Sequence, residues 1–286
     1  MAVDIAFLEK AYFYFDKPVL YITRKKKTIP IYPVSVSDYE IFMSSVDILQ
    51  FDKNLSSSVE IIQMSYLEFL MSVILQIDKN EAMADKVRNI MSLCLKWDNW
   101  SVSFDSTNKP FIINTDNSDI ISTKDFDDIK RIILYQNLLG YTDEYIDPDL
   151  KKSIEETDKL RLRDIELPSI ERKMSIITAH CGLSKKDQMA MTMRAHESLF
   201  EECVAEINYT TTRPIALYAG KANEIEWIYK KKKDKYSDYI MTIEDYNKSM
   251  GGDGKVADGK FRASKNVPQD GATLDAMYNM NTTQND

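Results

Sequence analysis

The placement of glycine constrains this chain more than any other feature. Five of its eight glycines, Gly251, Gly252, Gly254, Gly259 and Gly271, fall in the last 36 residues. The preceding 250 residues hold only Gly140, Gly182 and Gly220. Backbone that must approach a phosphate closely, or take positive φ in a nucleophile elbow or dinucleotide turn, ordinarily uses glycine. The long first part therefore reads as a helix-rich, non-enzymatic body suited to protein contact, and the remainder as a flexible tail.

At 286 residues the chain has room for one large domain or two small ones. The composition divides it into a hairpin-plus-helices region at 1–115, a helical region at 116–240, and a Gly/Asp/Lys/Asn-rich tail at 241–286. The first two can equally form a single domain. A hydrophobic share of 44% is enough for a sizeable core. The net charge of -8 argues against a general nucleic-acid binder, which needs cations to displace counterions from phosphates. Three cysteines, Cys94, Cys181 and Cys203, give an odd count without tight spacing, which suits a reducing compartment better than a disulfide framework. Asp4, Glu9 and Lys10 interrupt the first apolar residues, so no signal peptide is expected. The richest apolar stretch, Phe69 to Ile77, is far below the ~20 residues of a membrane span. A soluble, intracellular protein is expected.

Residues 12–34 predict a β-hairpin. Apolar runs at 18–22 and 29–34 flank a basic tip, Arg24 to Lys27, read as solvated, and Pro30 and Pro33 make the second strand an edge. Ser37 and Glu40 have capping-box spacing ahead of a helix that presents Tyr39, Phe42, Met43, Val46 and Leu49. A buried helix is expected over 59–77 and another over 81–95. Trp100, Val102 and Phe104 alternate with serines, and with Phe111 to Ile113 they predict a second hairpin at 99–115. Helices then dominate: 125–137; one from Pro148 to about Asp164; 168–180, stopped by Gly182; and a long helix from Lys185 to Ile207, capped by Ser184 and Asp187. Thr210 to Pro214 reads as a break, with a last helix from Ile215 to Lys231. The fold class is mainly α, a helical body with two small β-hairpins.

Few residues suggest chemistry. His180, Cys181, His196, Glu201, Glu202 and Cys203 contain zinc-ligand types, but adjacent His180 and Cys181 do not aim easily at one ion, and His196 and Cys203 share a helix face. They read as packing residues, so no metal, cofactor or catalytic group is expected. Gly254 to Lys260 has phosphate-loop spacing, yet Phe261 stands where a magnesium-binding Ser or Thr is required. The turn at Gly182-Leu183-Ser184 has the rhythm of a helix-turn-helix, but Gln188 falls where that motif buries an apolar residue, and a structural corner is the simpler reading. Lys230 to Lys233 complement a helix C-terminus.

The order of short motifs resembles a known family. A lysine-tipped hairpin leads into Ile31-Tyr32-Pro33-Val34-Ser35-Val36-Ser37-Asp38-Tyr39, followed by Asp52-Lys53-Asn54 and the run from Ile61 to Leu70. Then come Asp125 to Ile133, Tyr135-Gln136-Asn137, Gly182-Leu183-Ser184, Met191-Thr192-Met193-Arg194 and Glu226-Trp227-Ile228. The set is similar to tail-morphogenesis proteins, often called tail assembly chaperones, of long-tailed phages of Gram-positive hosts. The resemblance implies a non-enzymatic protein that coats the helical tape measure protein in the host cytoplasm while the tail tube forms. Self-association is a further expectation. A structural tail or baseplate component kept in the virion is the alternative, and a helix-turn-helix DNA-binding regulator the third reading. Fourteen methionines offer adaptable apolar contact. The partner-binding residues expected first are Met189, Met193, Leu199 and Phe200.

Overall fold

The computed structural model describes residues 3–56, 58–74, 81–144, 146–220 and 228. Expectations for the tail, the phosphate-like spacing at 254–260, the lysine run at 230–233 and most of the helix after Gly220 lie outside these residues. The chain forms two compact units. One comprises Met1–Tyr145 with Leu167–Ile228, the other Ile146–Glu166 with Tyr229–Asp286. The protein is mainly α, with two small antiparallel sheets.

Helix α1 (Ile5–Ala11) opens the first unit, its N-terminus capped by Asp4, which accepts from the Phe7 N–H. Strands β1 (Val19–Ile22) and β2 (Thr28–Ile31) pair antiparallel, with Val19 opposite Ile31 and Ile22 opposite Thr28. The hairpin is narrower than expected. Phe13–Phe15 form a 3-10 turn, closed by Asp16 in the left-handed region. In a two-stranded sheet both strands are edges, which accommodates Pro30.

The capping box expected at Ser37 and Glu40 does not form. Helix α2 (Tyr39–Ser45) starts beyond a 3-10 turn at Val36–Asp38, and the Ser37 hydroxyl bonds that of Ser35 instead. Phe42, Val46 and Leu49 are buried as predicted, while Met43 is exposed. The buried helix expected over 59–77 is interrupted. It comprises α3 (Val59–Gln63), an extended Met64–Ser65, and α4 (Tyr66–Phe69), which widens into a π turn at Leu70–Ile74. Ser65 causes the restart, because it forms a reciprocal capping box with Glu68. Val59 is exposed, whereas Tyr66, Leu67 and Leu70 are in the core. Helix α5 (Glu81–Ile90) and its π turn at Met91–Leu95 match expectation.

The second hairpin is β3 (Trp100–Phe104) with β4 (Pro110–Asn114), and a short β5 (Ile120–Ile121) adds a third strand that the sequence pattern did not announce. Helix α6 (Thr123–Asn137) follows, started by a capping box between Ser122 and Asp125. It is the centre of the core: Phe126, Ile129, Ile132, Ile133 and Leu134 pack with Ile29, Phe42, Leu67, Ile112 and Ile121 in one cluster. The core therefore runs across residue 115 without a boundary. Two buried polar side chains of α6 fix the hairpin region. Asn137 Oδ1 accepts from the Val34 N–H at 2.7 Å. Asp125 accepts from the Tyr21 hydroxyl at 3.0 Å and the Arg24 N–H at 3.1 Å. The basic tip is thus solvent-facing but tied down, with the Arg24 guanidinium also 3.6 Å from Asp128.

In the second unit the described element is α7 (Pro148–Leu162), with Pro148 at its first position as expected.

Candidate functional site

The region carrying the expected contact residues is built from three helices of the first unit. Helix α8 (Ile170–Cys181) is capped by Ser169 and ends at Gly182, whose φ of 72° is the left-handed C-terminal geometry. Helix α9 (Lys185–Ala190) starts at Ser184, which accepts from the Asp187 N–H. Helix α10 (Met193–Tyr218) starts at Thr192, which accepts from the Ala195 N–H.

The single helix expected over Lys185 to Ile207 is therefore two. Its break at Met191–Thr192 is a tertiary effect. The Val36 N–H donates to the Met191 carbonyl at 2.8 Å, and the Met193 N–H to the Val34 carbonyl at 2.9 Å. Residues 34–36 and 191–193 thus pair as a short antiparallel bridge. The predicted break at Thr210–Pro214 is absent, since α10 continues through Pro214 to Tyr218. The segment is exposed, so water can serve the Thr210 carbonyl that Pro214 leaves without a donor. With only six residues, α9 spans less than two turns, a short element for reading a DNA groove.

The four expected contact residues are not one surface. Met189 lies on α9 and is exposed. Met193 belongs to the main core, at 6% exposure, and is not available to a partner. Leu199 and Phe200 are half-buried, with the Lys173 ammonium over the Phe200 ring. A larger apolar surface lies further along α10. Ile207, Thr211, Pro214 and Tyr218 follow i, i+4, i+7, i+11 spacing, with Ile215 beside them. Ile215 is 69% and Tyr218 96% exposed. Placing the break at Thr210 hid this stripe, because it divided the residues between two helices.

The polar centre of the three helices is Gln188. It is fully buried, and its amide nitrogen lies 2.9–3.1 Å from the Met174 carbonyl, the Thr178 hydroxyl and the Leu183 carbonyl. Two N–H hydrogens are shared among these three acceptors. That orientation turns Gln188 Oε1 toward His196 Nε2, 3.2 Å away, and assigns the ring hydrogen to Nε2. The position read in the sequence as a misplaced polar residue is the hydrogen-bonding hub of the corner.

Four of the six metal-type residues divide among three separate contacts. His180 pairs with Glu206 at 2.7 Å, the Cys181 and Cys203 sulfurs lie 3.4 Å apart, and His196 is held by Gln188. Among the described residues no three His, Cys, Asp or Glu side chains are placed to hold a metal ion.

Burial pushes the His196 imidazole below its ordinary pKa, with Lys173 adding to the shift and Glu197 opposing it. The folded state thus holds this ring neutral while the unfolded chain protonates it near the usual ~6.5. Its contribution to stability is full above that value and is lost as pH falls from there through the lower folded pKa. The melting temperature is expected to drop between pH 7 and 5. The slope should be shallower in His196→Gln, and equal slopes would contradict the assignment.

A concave site lies on α4 and α6. An open cavity of about 320 Å³ is lined by Lys53, Tyr66, Asp127, Lys130, Tyr141 and Asp143, among others. Lys130 Nζ stands 3.4 Å above the centre of the Tyr66 ring. Burial lowers the Lys130 ammonium to about 8, against the pull of Asp127 and other carboxylates. The Tyr66 phenol is fixed by donating to the Ile48 carbonyl at 2.7 Å. The site joins cations, carboxylates and aromatic faces, a mixture suited to gripping a polar side chain. Sequence reasoning passed over it. The available signal was a lysine four residues beyond Phe126, on the flank of the apolar face of α6.

No described helix is long and apolar enough to cross a membrane. Comparison with protein-family models, with curated proteins and with solved structures returned no match.

Proposed function

We propose that this chain is a non-enzymatic phage tail assembly chaperone that binds the tape measure protein during tail morphogenesis. The observation that carries the reading is the exposed apolar stripe of α10. Ile207, Ile215 and Tyr218 form a ready seam for a second helix, and Tyr is among the residue types that dominate binding energy when an interface closes over them. A long helical client presents many such seams in succession. The motif order from Ile31 to Ile228 gives the family context. The bridge between residues 34–36 and 191–193 joins two of the segments that make up this order.

The test is co-expression of the full chain with the candidate tape measure protein. The client is expected to be soluble only with this protein, and a complex should survive gel filtration. The pair of changes Ile215→Asp and Tyr218→Ser, both at exposed positions, should weaken the complex at least about tenfold while leaving the melting temperature within about 2 °C. Equal client solubility with and without this protein, with no complex on the column, rules the chaperone reading out. Recovery at fixed copy number from finished particles would instead favour a structural tail component.

A further inference from the structure

Cys181 is the last residue of α8, and Cys203 lies in the first half of α10. Their sulfurs are 3.4 Å apart across the helix pair. The contact is held from both sides. Lys173 reaches Glu197 at 2.7 Å, and His180 reaches Glu206 at 2.7 Å. The three contacts have similar sequence separations of 24, 22 and 26 residues, so the two helices run in the same general direction in a fixed register. Cys181 is exposed and Cys203 buried, while the third thiol, Cys94, is buried in the main core cluster.

We propose that Cys181 and Cys203 are a modification site, a thiol pair that closes to an intramolecular disulfide when a two-electron oxidant of the peroxide class reaches Cys181. The order of events follows from access. The Cys181 thiolate attacks the peroxide, forming an S–O bond and releasing water once the leaving oxygen is protonated. Cys181 becomes a sulfenic acid. Cys203 sulfur then attacks the Cys181 sulfur, the S–S bond forms, the S–O bond breaks, and the hydroxyl departs as water with the Cys203 proton. One peroxide is reduced to two waters, and two thiols are oxidised to one disulfide. The sulfurs need to approach from 3.4 Å to about 2.05 Å for the bond to form. Burial and the neighbouring sulfur hold the Cys203 thiol well above its ordinary range, so the exposed Cys181 is the first nucleophile, and Cys203 gives up its proton to the departing hydroxyl as it attacks. The bond would fasten α8 to α10 around the Gln188 hub and fix the base of the helix that carries the exposed stripe.

The experiment treats the reduced full-length protein with equimolar hydrogen peroxide, then alkylates it under denaturing conditions for intact-mass analysis and peptide mapping. The expected result is loss of two alkylatable thiols, a linked peptide pair carrying Cys181 and Cys203, and a melting temperature higher by about 5 °C that dithiothreitol reverses. Cys94→Ser should still form the link. Cys181→Ser, altered at the exposed end so that the core is untouched, should not, and neither should Cys203→Ser. Oxidation of wild-type Cys181 to sulfinic acid without the link, a disulfide to a second molecule, or a lower melting temperature on linking would each overturn the proposal.

Discussion

Replacing Gln188 with leucine is expected to cost about 3 kcal/mol of stability, although the two side chains are similar in volume. The size follows from what the amide holds. Its nitrogen serves three acceptors on α8 and the following turn, and its oxygen receives the ring N–H of His196. Leucine fills the space and removes every one of these bonds. The Met174 and Leu183 carbonyls keep other donors, Leu183 through the Thr178 hydroxyl. The His196 ring N–H loses the only polar partner it has among the described residues, at a site with 1% exposure, and a buried orphan donor costs about 1–3 kcal/mol by itself. Denaturant unfolding at constant slope should show the loss, and a change below about 1 kcal/mol would mean the hub is not structural.

Asp125→Ala is expected to cost about 3 kcal/mol or more, against less than about 1 kcal/mol for Asp128→Ala. The two carboxylates are neighbours on α6, and both lie within hydrogen-bond reach of the Tyr21 hydroxyl. Their surroundings separate them. Asp125 is 1% exposed and accepts from the Arg24 N–H, the Ser122 N–H and the Ser122 hydroxyl. Removing it opens the capping box of α6 and takes the acceptor from the Arg24 N–H, while the Tyr21 hydroxyl keeps Asp128. Asp128 is partly solvated, and its ion pair with Arg24 is screened. Tyr21 reports on the same cluster: burial, then the two carboxylates, holds its phenol far above the ordinary tyrosine range. Comparing the two alanine variants by the same unfolding measurement gives the test. An Asp128 effect equal to that of Asp125 would contradict the roles assigned here.

Contiguous residues determined a good part of the fold. The apolar spacing from Phe126 to Leu134 set α6 and its buried face. Gly182 stopped α8, Ser184 with Asp187 started α9, and the Trp100 alternation gave β3. Each of these signals acts within one turn or one strand, where local dihedral preference and side-chain capping decide the outcome. Tertiary structure decided the rest. Thr192 caps the start of α10, but no Gly or Pro near Met191 and Thr192 forces a break in the helical pattern. The break exists because Val34 and Val36, more than 150 residues earlier, supply the donor and acceptor that pair with that segment. Pro214 is a helix breaker by local rule, and its exposed place on α10 relaxes that rule. The candidate contact surface changed for the same reason. Met193 and Tyr218 are both apolar and both helical, and only the position of α6 and α8 against the first half of α10 determines that one is in the core and the other faces water. Gln188 completes the contrast, since its polarity looks like an error along the chain and becomes a requirement once α8, the turn at Leu183 and the start of α10 converge on it.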